Sequence, residues 1–228
     1  MMDIVDPDEE FSLADYKKLA LSAINDILSR RKLPIIVGGT GLYIRALVDN
    51  LDIPPVEPNK QLRKKLEKKK LPELAAMLVK MDRVTARKIV LQNSRRGLRA
   101  LEVFILSGKP FLTQSTKSQP IFDALEIGLD LPRQELYARI DARVDKQMEE
   151  GLLEETKKLA KKYSWDLPSM SGVGYKQMGF YLRGETTLEE AINILKRDTR
   201  RYAKRQMTWF RSDKNIHWIN KPDIKLAE

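Results

Sequence analysis

The stretch over residues 33–43, LPIIVGGTGLY, decides the reading of the fold. Its apolar run, Leu33, Pro34, Ile35, Ile36 and Val37, predicts a strand. Gly38, Gly39 and Gly41 around Thr40 predict a tight turn, and Leu42 and Tyr43 open a helix. Adjacent glycines let a backbone adopt positive φ and approach a ligand closely, while the N–H groups that start the next helix favour an anion. The Thr40 hydroxyl would lie beside that anion. The same pattern also serves as a plain strand-to-helix turn, so its weight comes from the residues around it.

Upstream, Leu13, Tyr16, Ala20, Ala23, Ile24 and Ile27 recur at helical spacing behind Ser12, a suitable N-cap. Helix, strand, turn and helix in this order are the repeating unit of a layered α/β protein. Pro54, Pro55 and Pro58 then interrupt any helix and mark a change of character. The segment from Asn59 to Ser107 is helix-forming and cationic. Its cluster Lys68, Lys69 and Lys70 reads as a solvated helix face. Arg96 and Arg99 share a face beside Leu98 and Leu101, where the fixed donor fork of a guanidinium suits phosphate.

Residues 122–131 predict a returning core strand, followed by a helix that buries Leu136, Ile140, Val144 and Met148. Arg133, Arg139 and Arg143 lie on the other side of this helix, near the sheet edge where open α/β folds bind ligands. They fit either a diphosphate grip or exposed ion pairs with Asp141 and Asp145. Ser171, Gly172, Val173, Gly174, Tyr175 and Lys176 combine glycines with an aromatic ring and a cation. That combination fits an RNA backbone with a stacked base, or a turn that joins two helices. Residues 188–210 predict a long helix with arginines around Tyr202 and Trp209, and residues 216–219 a short final strand.

Composition narrows the classes. Lys and Arg number 42 against 32 Asp and Glu in 228 residues, a net charge of +10 that suits a polyanionic partner. The absence of cysteine excludes disulfides, thiolate zinc sites and cysteine nucleophiles, and fits a reducing compartment. His217, the one histidine, forms no histidine cluster. No apolar run approaches the roughly 18 residues that span a bilayer, and the acidic start is unlike a signal peptide. The expected location is the cytoplasm and the expected state a monomer.

Five stretches carry a family resemblance: DIVDPDEEF from Asp3, VGGTGLY from Val37, RALEVFILSGKP from Arg99, GYKQM from Gly174 and AKRQMTWFR from Ala203. In this order they resemble the tRNA dimethylallyltransferases, also called tRNA isopentenyltransferases. The resemblance implies an α/β fold with a P-loop-kinase-like parallel sheet core, here N-terminally truncated, over 1–56 and 112–228, and an inserted α-helical tRNA-binding domain over 57–111. It implies transfer of a dimethylallyl group from dimethylallyl diphosphate to the exocyclic amine of the adenosine 3′ of the anticodon. Thr40 and Arg143 become the expected catalytic residues, with Gly38, Gly39, Arg133 and Arg139 around the diphosphate. Expected contacts to the tRNA anticodon stem-loop are Arg63, Arg95, Arg96, Arg99 and residues 171–176.

The family's phosphate-binding P-loop and the Asp-Ser motif that follows it have no counterpart in the sequence. Gly108 and Lys109 lack a partner glycine five positions earlier and are followed by Pro110. Mg²⁺ is the expected cofactor, with ligands mainly from that missing segment and from the diphosphate. Two outcomes of different class follow: a prenyl-transferring enzyme, or a catalytically inactive RNA-binding fragment of one.

Overall fold

A computed structural model describes residues 1–88, 94–114 and 116–220. The helices are α1 (Leu13–Ser29), α2 (Gly41–Val48), α3 (Lys60–Glu67), α4 (Leu71–Met81), α5 (Arg83–Lys88), α6 (Ser94–Ser107), α7 (Arg133–Glu149), α8 (Leu152–Lys162), α9 (Tyr175–Leu182) and α10 (Leu188–Phe210). Two strands, β1 (Ile127–Asp130) and β2 (His217–Asn220), pair in parallel, with Ile127 opposite His217 and Asp130 opposite Asn220. This is the expected helix-rich α/β class. The chain falls into two compact units: residues 1–12, 36–41 and 124 onward, and residues 13–35 with 42–123.

The first unit is organised around α10. Thr187 caps this helix by accepting the Glu190 N–H, while the Glu190 carboxylate accepts the Thr187 N–H. Ala191 and Leu195 of α10 pack with Val144 of α7 and Met178 of α9 in one buried cluster. Charges reinforce the packing. Arg200 of α10 donates from Nη1 to both carboxylate oxygens of Asp141 on α7, each at 2.7 Å, and Lys196 donates to Asp145 at 2.8 Å.

The second unit holds two cores. Ala20 and Ile24 of α1 pack with Leu47 of α2, flanked by Tyr16 and Phe122, and the Tyr16 and Tyr43 rings stack with centroids 4.0 Å apart. Leu66, Leu74, Leu78, Leu98 and Leu101 join α3, α4 and α6. Leu78 and Leu101 are wholly buried, so truncating either to Ala costs about 2–5 kcal/mol. Buried Asp82 ties the joint after α4: Oδ1 accepts the Thr85 N–H at 2.9 Å and Oδ2 the Phe111 N–H at 3.0 Å.

Two expected strands come out differently. Residues 33–37 form no strand, and Leu33, Ile35 and Val37 stand 82%, 77% and 91% exposed. A parallel strand exists only where neighbours complete its hydrogen-bond ladder, and no described segment pairs with this one. The strand expected over residues 122–131 is limited to Ile127–Asp130, the part that meets β2.

Candidate functional site

Thr40 is exposed, and its hydroxyl makes no hydrogen bond among the described residues. The glycines around it act otherwise than the sequence reading proposed. None of Gly38, Gly39 or Gly41 has positive φ; in the described chain that conformation belongs to Gly108, Gly151, Gly174 and Gly184. A Cβ on Gly39 would overlap the Gln206 side-chain amide, and one on Gly41 would overlap the Trp209 indole. Gly38 faces open space. Gln206 Nε2 donates to the Gly39 carbonyl at 3.0 Å. Glycine at 39 and 41 thus admits two side chains of α10.

The α7 arginines separate into distinct environments. Arg133 donates from Nε to the Tyr137 hydroxyl at 3.1 Å, and its guanidinium carbon stands 5.1 Å from the centroid of that ring. Arg139 pairs with Glu135 at 2.8 Å. Arg143, exposed and one turn beyond Arg139 on the same face, has no ion pair among the described residues. The alternative in which these arginines pair with Asp141 and Asp145 is overturned, because α10 takes both carboxylates. Arg143 is left as an uncompensated cation in the same unit as Thr40.

The turn before α9 is locked at its base. The Ser171 hydroxyl donates to the Pro168 carbonyl at 2.6 Å. Gly174 has φ 111° and ψ −73°, a conformation for glycine alone, and its N–H donates to Gln177 Oε1 at 3.0 Å. Gln177, itself buried, donates from Nε2 to Asp198 of α10 at 3.0 Å. Burial would raise the Asp198 carboxyl, but the Gln177 hydrogen bond and the charges of Arg197 and Arg201 bring it below its ordinary value. Tyr175 donates to Glu155 at 2.6 Å. That hydrogen bond to a carboxylate, with burial added, pushes the phenol up to about 12. Lys176 reaches over the Phe180 ring, 5.8 Å from its centroid, and Val173 is exposed at the tip.

In the second unit one residue outside the sequence reading controls two that were inside it. Glu102, fully buried, accepts Nε and Nη2 of Arg63 at 2.9 and 3.0 Å, Nη1 of Arg99 at 2.6 Å and the Asn59 N–H at 2.7 Å. Burial would raise its carboxyl, yet the hydrogen bonds from Arg63, Arg99 and Asn59 hold it below its usual range. Arg99 also donates to the Val56 carbonyl at 2.6 Å. Arg63 and Arg99 are therefore both fixed by one carboxylate, whose charge offsets one of their two, with only their outer edges open. The available signal for Glu102 was a carboxylate in an otherwise apolar LEVF run, three residues after Arg99. Arg95 and Arg96 stand exposed on the first turn of α6, where the positive end of the helix dipole favours an anion.

Among the described residues no three His, Cys, Asp or Glu side chains converge on a metal site. The oxygen cage that Mg²⁺ takes is thus not formed by these residues alone. Nor is any described helix long and apolar enough to cross a membrane.

The profile of one family, described as IPP transferase, matches residues 1–213, and the chain belongs to that family. A tRNA dimethylallyltransferase of Acetivibrio thermocellus is 48% identical over 236 aligned positions, covering 100% of this chain and 75% of the relative. The crystal structure of the tRNA isopentenylpyrophosphate transferase of Bacillus halodurans superposes with a TM-score of 0.67 at 41% identity, covering 98% of this chain and 72% of that one. A eukaryotic dimethylallyltransferase solved while acting on tRNA gives a TM-score of 0.79 at 27% identity, over 99% and 60% of the two chains.

Proposed function

We propose that this chain transfers a dimethylallyl group from dimethylallyl diphosphate to the exocyclic amine of the adenosine 3′ of a tRNA anticodon. Family membership supports the reaction class. The observation that carries the assignment to particular residues is the unpaired Thr40 hydroxyl, in one compact unit with the unpaired Arg143 guanidinium. In the transfer the amine nitrogen bonds to the allylic carbon, the carbon–oxygen bond to diphosphate breaks with its electron pair going to the diphosphate, and the amine's proton passes to water or to the released diphosphate. Adenine's amine is a weak nucleophile and diphosphate a highly charged leaving group, so alignment and positive charge supply most of the rate.

In this reading Thr40 hydrogen-bonds at the reaction centre, Arg143 grips the diphosphate, and Arg139, Arg133 and the backbone at Gly38 and Gly39 border it. The helices of 57–111, which lie within the second unit, form the arm that holds the anticodon stem through its phosphates. Arg95 and Arg96 contribute there directly. Arg63 and Arg99 do so through the edges that Glu102 leaves open, and residues 171–176 contact the loop beside the extruded base. The diphosphate, together with the family's P-loop segment, would hold Mg²⁺, which would neutralise the rest of the leaving group's charge. The cytoplasm is the compartment that fits a cysteine-free, tRNA-directed chain.

The test is to incubate the chain with dimethylallyl diphosphate, Mg²⁺ and unmodified tRNA and to look for prenylated adenosine by mass spectrometry. Prenylated adenosine sustains the reading, and Arg143→Ala should reduce it by about 100-fold. No product beside retained binding of the anticodon stem-loop would reassign the chain as an RNA-binding protein.

A further inference from the structure

We infer that Gln206 is the positioning residue of the Thr40 turn: its side-chain amide is a strut from α10 to the Gly39 carbonyl, and it fixes where the Thr40 hydroxyl stands. The inference rests on the reading above in one respect, that the Thr40 hydroxyl serves prenyl transfer. The strut itself rests on geometry alone.

A turn can be held by its own dihedral angles, by hydrogen bonds within it, or by a neighbouring element. The first two are absent here. No glycine of residues 38–41 takes the left-handed conformation that locks a tight turn. Among the described residues, the hydrogen bond from Gln206 Nε2 to Gly39 O, at 3.0 Å and partly buried, is the one that reaches residues 33–39. The neighbouring element is α10, whose side chains 206 and 209 lie three positions apart on one helical face. Each is matched by a glycine whose missing Cβ leaves room for it: Gly39 for the Gln206 amide, Gly41 for the Trp209 indole.

The helix that carries the strut is itself rigidly placed. It has a capping box at its start, buried Ala191 and Leu195, and a two-oxygen ion pair from Arg200 to Asp141 on α7. Arg143 lies two residues after Asp141 on α7. One helix therefore braces the two elements that present Thr40 and Arg143. An error of about 1 Å in such a constellation costs on the order of 100-fold in rate, which makes a single amide bond on an otherwise unbonded turn a strong lever.

The experiment compares the unaltered chain with Gln206→Leu and with Gln206→Asn, which keeps the amide but is one methylene too short to reach. Backbone order parameters of Gly39, Thr40 and Gly41 from ¹⁵N relaxation should fall from about 0.85 to below about 0.6, while those of α10 stay unchanged. Prenyl transfer at saturating substrates should drop by about 10- to 100-fold, with KM for tRNA within about twofold of the unaltered value. Unchanged order in the turn overturns the strut. A raised KM with kcat intact overturns the positioning role and makes Gln206 a tRNA contact. If the unaltered chain forms no product, the proposed activity fails, and the order parameters still decide whether Gln206 holds the turn.

Discussion

The turn over residues 38–41 and the turn over residues 171–176 both contain glycine and both meet a glutamine amide, yet glycine is needed in them for different reasons. At Gly174 the requirement is dihedral: φ 111° and ψ −73° exclude any side chain, and Gln177 accepts the strained residue's N–H. At Gly39 the backbone is ordinary and the requirement is space, because the Gln206 amide sits where a Cβ would be. The polarity of the two contacts is also opposite. Gln177 receives a proton from its turn, whereas Gln206 donates one. Glycine thus marks a special backbone in one case and a close neighbour in the other, and sequence shows the residue without the reason.

Substitution separates the two. Gly174→Ala has the largest expected effect, because it forces an L-residue into a conformation costing on the order of 1–3 kcal/mol, and a thermal melt should shift down by several degrees. An unchanged melt would show that the turn readily finds another conformation. Gln177→Leu leaves the buried Gly174 N–H without an acceptor and should cost about 1–2 kcal/mol in urea unfolding. Gly39→Ala should cost about 1 kcal/mol, since the atom displaced is the end of a flexible side chain, and adding Gln206→Ala should recover it. Adding Gln177→Ala should not recover Gly174→Ala. Equal rescue in both pairs would erase the distinction.

A smaller effect is expected from pH at the second turn. The Tyr175 phenol is raised to about 12 in the folded chain by its hydrogen bond to the Glu155 carboxylate, against about 10 unfolded. A group whose folded value is raised contributes fully below the unfolded value, and its contribution is lost as pH climbs from about 10 through about 12. Burial and the adjoining Tyr43 also raise the Tyr16 phenol, so spectrophotometric titration should show more than one late tyrosine, and Tyr175→Phe should remove the phase near pH 12 while leaving the others. Gly38→Ala closes the series. With ordinary φ and open space at its Cβ, it should change stability by less than about 0.5 kcal/mol.

Local patterns were legible. The period of apolar residues located α1 and α10, the latter over Leu188–Phe210, because one buried stripe on a long helix repeats whatever the helix packs on. The final strand was legible to within one residue, expected over 216–219 and formed over His217–Asn220 beside β1. Residues 33–37 misled, because an apolar run states a capacity for a ladder and not the presence of a partner. Arg63 read as a free donor because Glu102, 39 positions away, is brought against it only by the packing of α3 on α6, while Arg99 shares that carboxylate from three positions away on α6 itself. Spacing alone left Arg143 between a diphosphate grip and an ion pair with Asp141 or Asp145, and the structure decided against the pair because Arg200 and Lys196 claim those carboxylates.

The sequence by itself determined the helices, the net positive charge and the ordered set of motifs that places this chain among the IPP transferases, since each depends on residue identity within a few turns of chain. Only the tertiary structure decided which cations remain uncompensated, why the glycines of each turn are glycine, and that α10 braces both turns. The long-range contacts among these run at 2.7–3.0 Å between residues 39 to 167 positions apart, and no local spacing encodes them.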